Sequence, residues 1–315
     1  MKLSRRSVRN SVTALPVTAL LLLASCSRNP VDEPAARITS APRLSQIATL
    51  DSIQPARMDT ISVIRLAYDA QNRLTQLYQI SRPAGDTSYR VEYVYSGSDT
   101  LAASVIERMY TAGGGRDQYV HYFTYVNGQR AKDSTLTEQT FPGFPTTRDT
   151  VISRYTLTGN RLAVISQSRR AQSPFFFTYR HLQGPIDHPG GYSDSLGRVQ
   201  PNGSMDLYST TQFASTYLAT ANPTWVLNKP VAGYNEVFYS GMIGLTYQLM
   251  GGLPFLPQQQ TETTQNFTGP TTTTNTWVSN YSYTYRADGL PATATNRISA
   301  QGGGGSVQRY AYSYE

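Results

Sequence analysis

One cysteine and three histidines are the only thiol and imidazole groups in this 315-residue chain. Cys26 follows Leu23-Ala24-Ser25 at the end of an apolar run, and three uses compete for it: a buried small side chain, a thiolate nucleophile or an acylation site. His121 stands in Tyr119-Val120-His121-Tyr122-Phe123, and His181 shares parity with Phe175, Phe177 and Tyr179. Both read as strand residues with a polar tip. His188 lies in Pro185-Ile186-Asp187-His188-Pro189, where Asp187 can orient the ring. A metal set of His181, Asp187 and His188 matches no zinc-binding spacing, so neither metal nor cofactor is expected. Twenty acidic residues leave paired-carboxylate glycoside hydrolysis open in principle, yet the sequence marks out no two of them. Gly113 to Gly115 and Gly302 to Gly305 read as hairpin loops and not as phosphate cradles. The chain is therefore expected to carry no catalytic residue.

The setting of Cys26 decides its use. Residues 1–9 are basic with no acid, and an apolar run from Val12 to Leu23 follows, broken only by threonines and Pro16. These are the n-region and h-region of a secretory signal, and the run is short of the roughly 20 residues that span a bilayer. Leu23-Ala24-Ser25-Cys26 resembles the lipobox of bacterial lipoproteins. The resemblance implies a signal peptide over 1–25, diacylglycerol on the Cys26 thiol and cleavage before it. Acyl chains, palmitate among them, would then anchor the protein in the cell envelope, on the outer membrane. Two chains suffice for stable anchoring. Acylated Cys26 leaves no thiol for a disulfide or for catalysis.

Loss of Lys2, Arg5, Arg6 and Arg9 lowers the formal charge from +7 to +3. Arg169-Arg170 is then the longest basic run, and the other arginines read as solvated strand faces, so no nucleic-acid partner is expected. Residues 26–50 are rich in proline and lack periodicity, which predicts a lipidated tether ahead of a domain over 51–315. Asp32 and Glu33 are too few and too far from Cys26 to mark surface export, so the membrane face stays open.

The domain reads as all-β. In Tyr89-Arg90-Val91-Glu92-Tyr93-Val94-Tyr95 the odd positions are Tyr or Val, and the same alternation returns at Tyr281 to Tyr285 and Tyr310 to Tyr314. Tyrosine, 23 in all, packs on a pleated face while keeping a hydroxyl for the rim. Segments starting at residues 66, 93, 123, 155 and 283 share one plan: an aromatic strand, a turn with Gly, Asn or Asp, and a second strand. Asn127-Gly128 and Asp288-Gly289 supply turn residues that tolerate positive φ. Tyr68-Asp69-Ala70-Gln71-Asn72-Arg73-Leu74 resembles the YD repeat of Rhs-type proteins, with Asn72 in the place of its glycine. Lipoproteins of unknown function with degenerate YD-like hairpins are similar in style. The resemblance implies an antiparallel meander of hairpins forming a strongly curved sheet or open barrel, and no activity.

Residues 182–260 read as an insertion. Asn235 as N-cap and Glu236 in the first turn predict a short helix near 235–250 that plugs the sheet. A lid over 237–257, including Phe255 and Leu256, would serve a carrier of acyl chains. Asp followed by Ser or Thr recurs at Ser52, Thr60, Thr100, Ser134, Thr150 and Ser195, which resembles the acceptor motif of bacterial O-glycosylation. The competing account is that Asp closes a turn and the next residue opens a strand. The expected function is a non-catalytic binding or structural module for a glycan, peptide or envelope protein. A hydrophobic-ligand carrier and, less favoured, a polysaccharide-acting enzyme are the alternatives.

Overall fold

The computed structural model describes residues 42–315 apart from 55–56, 82–84, 112, 159–160, 171–175, 184–190, 200–201, 203, 228, 232–254 and 268–270. Pro42–Glu315 forms one compact unit. Sixteen strands are described. The first eight are β1 (Leu44–Gln54), β2 (Arg57–Tyr68), β3 (Leu74–Ser81), β4 (Thr87–Tyr95), β5 (Ala102–Tyr110), β6 (Arg116–Val126), β7 (Gln129–Thr140) and β8 (Thr147–Thr158). They continue as β9 (Arg161–Arg170), β10 (Phe176–Gln183), β11 (Gly191–Val199), β12 (Met205–Ala221), β13 (Phe255–Asn266), β14 (Thr273–Tyr285), β15 (Pro291–Ala300) and β16 (Gly305–Tyr314). Each pairs antiparallel with its sequence neighbours, and β1 pairs with β16, so the meander closes into a barrel.

The all-β antiparallel reading holds, and closure goes beyond the open barrel expected. Closure removes the two edges that an open sheet would expose. Three boundaries are corrected. The tether expected to reach residue 50 ends before Leu44, because Leu44–Gln54 is paired on both sides. The insertion expected over 182–260 contains β11 and β12 and the start of β13, so much of it belongs to the sheet. Phe255 and Leu256 open β13 and do not belong to a lid. The helix expected at 235–250 lies outside the described residues.

All five repeat segments fall on hairpins, β2–β3, β4–β5, β6–β7, β8–β9 and β14–β15, whose turns share one end of the barrel. Asn127 (φ 52°) and Gly128 (φ 73°) both take the left-handed region, as a two-residue hairpin turn requires. Asn72, at φ 60°, does what the glycine of the YD motif would do. In four of these hairpins, and on β16, a tyrosine near the end of the even strand hydrogen-bonds the start of the strand before it. Tyr68 Oη donates to the Leu44 carbonyl (2.6 Å), Tyr95 to Leu74 (2.7 Å), Tyr125 to Ala102 (2.8 Å), Tyr283 to Pro257 (2.8 Å) and Tyr314 to Pro291 (2.9 Å). Arginines cover several of these rings: Arg43 lies 4.6 Å from the Tyr68 centroid, Arg73 4.4 Å from Tyr95 and Arg286 4.8 Å from Tyr314.

Period-2 alternation decides what fills the barrel. Tyr89, Val91 and Tyr93 of β4 are buried while Arg90 and Glu92 point out. Ile47, Ile64, Leu77, Val91 and Val105 form the apolar core, joined by Tyr281, Tyr310 and Tyr312. Leu227, from the short 3₁₀ turn Pro223–Leu227, and Leu256 sit fully buried in that core. Tyr93 Oη donates to the Leu227 carbonyl at 2.9 Å, so the Pro223–Leu227 turn packs into the barrel core.

Candidate functional site

Chemistry-bearing side chains gather in two places, one inside the wall and one outside. Inside, β5, β6 and β7 bring Glu107, His121 and Asp133 to facing positions, because Val105 pairs with His121 and His121 with Thr135. His121 Nε2 lies 2.7 Å from Glu107 Oε1, and Nδ1 lies 3.3 Å from Asp133 Oδ2 and 2.9 Å from Thr135 Oγ1. Tyr89 Oη donates to the other Glu107 oxygen, and Thr135 Oγ1 donates to Asp133 Oδ1 at 3.2 Å. Burial pulls the His121 pKa down, but the hydrogen bonds and charges of Asp133 and Glu107 overcome it and hold the ring at about 9. At neutral pH His121 is therefore an imidazolium between two carboxylates. With Glu107 at 0% exposure and His121 at 4%, a substrate does not reach the pair, and the cluster is a buried ion network.

His121 is the strand residue with a polar tip that was expected, and its ring faces the barrel interior. Its parity with Tyr119 and Phe123 carried that signal, while its acidic partners came from two other strands. His181 lies in β10, paired with Ala163 and Ser193. His188, Asp187 and Cys26 lie outside the described residues, and no three-residue metal cluster occurs among the described ones.

Outside, the hydrogen-bond register aligns one polar residue from each of seven strands. Arg65, Tyr78, Arg90, Arg108, Gln118, Glu138 and Arg148 stand in a continuous row from β2 to β8. Glu92 bridges Arg90 (2.8 Å) and Arg108 (3.1 Å), Arg108 Nε donates to Gln118 Oε1 (3.0 Å), and Glu138 takes Arg148 (3.0 Å) and Arg116 (3.4 Å). Five arginines against Glu92 and Glu138 leave the row positive. Beside it a cleft of about 470 Å³ is lined by Gln76, Tyr78, Thr87, Arg90 and Tyr110. These arginines were expected to be scattered strand faces, and register is what gathers them.

Most outward positions on β13, β14 and β15 are polar as well. Outward positions are Thr261 and Thr263 on β13, Thr274, Thr276, Val278, Asn280, Ser282 and Thr284 on β14, and Thr293, Thr295, Arg297 and Ser299 on β15. Ile106, Val120 and Leu136 make one short apolar row, ended by Glu92 and Thr150, and Val94, Tyr122 and Val307 are exposed apolar positions elsewhere on the wall. A barrel that faces lipid carries a continuous apolar band about 25 Å tall. Among the described side chains, apolar outward positions such as Val278, between Thr261 and Ser299, alternate with polar ones.

The six Asp-Ser/Thr acceptors fall into different settings. Thr100 is exposed at the bend between β4 and β5, where Asp99 N donates to Ser96 O at 3.1 Å. Thr60 is exposed within β2; Ser134, Thr150 and Ser195 are half-buried within strands, and Ser52 lies in β1. The expectation that strand starts produce the triplet therefore fits Asp99 alone: Asp51, Asp59, Asp133, Asp149 and Asp194 are paired inside strands.

No family model and no curated protein matches the chain. Among the solved structures similar to it are two porin-like proteins. One is a porin-like protein from Bacteroides vulgatus ATCC 8482, 13% identical with a TM-score of 0.48, covering 87% of this chain and 99% of that one. The other is a porin-like protein from Bacteroides uniformis ATCC 8492, 10% identical with a TM-score of 0.45, covering 86% and 96%.

Proposed function

We propose that this protein is a non-catalytic binding module of the cell envelope, held to the outer membrane by acyl chains on Cys26 and binding its partner on the outer wall of the barrel. The observation that carries this reading is the direction in which the chemistry faces. Among the described residues the apolar side of the interior is packed with side chains of zero exposure, Leu227 and Leu256 included. The His121 network is sealed. The cleft between Tyr78 and Tyr110 is open to solvent, concave, and flanked by aromatic faces and a guanidinium, as recognition sites are.

The test is retention on polysaccharide prepared from the host's own envelope. The full chain is retained, and Tyr78→Ala with Tyr110→Ala is not, although its far-ultraviolet circular dichroism is unchanged. Equal retention of both proteins contradicts the outer-wall site. O-glycosylation, where it occurs, falls on Thr100 first, the one acceptor exposed at a turn, and glycopeptide mass spectrometry reads that directly.

A further inference from the structure

We infer that the partner on the outer wall is an extended acidic polysaccharide lying across the strands along the row Arg65, Tyr78, Arg90, Arg108 and Arg148. The inference rests on the binding-module reading and specifies its ligand. Adjacent strands are about 4.8 Å apart, so the six spacings from β2 to β8 make a track about 30 Å long. Such a track fits a chain of sugars better than one head group. Arg65 and Arg148 are exposed, and the Arg90 side chain is 41% exposed at the cleft, so these forks are open to a carboxylate. Glu92 is shared by two arginines and Glu138 by two more, which holds the guanidiniums in place while leaving net positive charge. Those two carboxylates accept hydrogen bonds from ring hydroxyls, which a sugar acid presents beside its carboxylate and a DNA phosphate does not. Tyr78 and Tyr110 offer phenol faces to the pyranose rings between charges.

The experiment is affinity electrophoresis of the full chain through gels containing polygalacturonate, dextran or a single-stranded oligonucleotide, at low and high salt. Polygalacturonate is expected to retard the protein, less at high salt, and dextran is not. Arg65→Ala with Arg90→Ala is expected to lose about tenfold in affinity, which is the loss of one or more charge-assisted hydrogen bonds, with its circular dichroism and melting unchanged. Retardation by dextran equal to that by polygalacturonate overturns the acidic ligand, and stronger retardation by the oligonucleotide overturns the saccharide. An unchanged double variant overturns the arginine row. If neither glycan retards a chain that host envelope polysaccharide still retains, the ligand inference fails and the binding module stands; if nothing retains it, both fail.

Discussion

Arg43 and Glu315 meet as Arg73 and Asp69 do inside the chain. Arg43 Nε lies 2.7 Å from Glu315 Oε1, and Arg73 Nε lies 2.7 Å from Asp69 Oδ2. Glu315 N donates to the Arg43 carbonyl at 3.0 Å, as Asp69 N donates to that of Arg73 at 3.0 Å. Each arginine also covers the tyrosine that ends the following even strand. Tyr314-Glu315 and Arg43-Leu44 are thus the two halves of one repeat turn, and barrel closure reuses the geometry of an internal hairpin.

A chain in which a short Gly/Ser linker joins Glu315 to Pro42, and which opens between Asn127 and Gly128, should therefore fold to the same barrel. Asn127 and Gly128 are exposed at a tight turn, where new termini are tolerated. Circular dichroism and melting should stay close to those of the parent. An unfolded permutant would show that the seam differs in kind from the internal turns.

The buried His121 network makes stability depend on pH. The folded pKa of about 9 lies above the ordinary 6.5, so the stability contributed by the charged ring is full below about 6.5 and is lost as pH rises through about 9. Urea midpoints should fall between pH 7 and pH 10 in the parent and fall less in His121→Gln. At pH 7 His121→Ala leaves Glu107 and Asp133 buried without their cation, which costs about 3–5 kcal/mol.

Leu227 tests how the Pro223–Leu227 turn packs. It reaches the core from outside the sheet and is fully buried, so Leu227→Ala should cost about 2–5 kcal/mol in chemical denaturation. A cost below about 1 kcal/mol would mean that the Pro223–Leu227 turn rests on the barrel without filling it.

Asn72 tests the turn chemistry. At φ 60° a β-branched residue is strained, so Asn72→Val should cost about 1–2 kcal/mol from backbone strain, and more from the lost 2.6 Å bond to Arg43 Nη1. Asn72→Gly should lose only that exposed bond. Thermal melting separates the two variants.

Much of the fold was legible locally. Tyr89, Val91 and Tyr93 announce their strand by parity, and Asn127-Gly128 announces its turn, because both signals lie within a few residues. Closure was not legible, since Leu44 and Tyr314 meet from opposite ends of the domain and nothing in either segment names the other. The two polar sites were hidden for the same reason. His121 shows its inward parity, but Glu107 and Asp133 become its partners only once β5, β6 and β7 are in register. Arg65, Arg90, Arg108 and Arg148 each look like one solvated arginine until pairing sets them side by side. Charge clustering built by register has no trace in runs along the chain.

The central proposal is a barrel held to the envelope by acyl chains on Cys26, and fractionation of cells carrying the full chain or Cys26→Ala tests it most directly. The account predicts that the parent sediments with membranes, while Cys26→Ala appears in the soluble fraction without detergent and is still an all-β fold by circular dichroism. A Cys26→Ala protein that stays with the membranes and needs detergent for release would contradict it, because the barrel wall itself would then be in lipid.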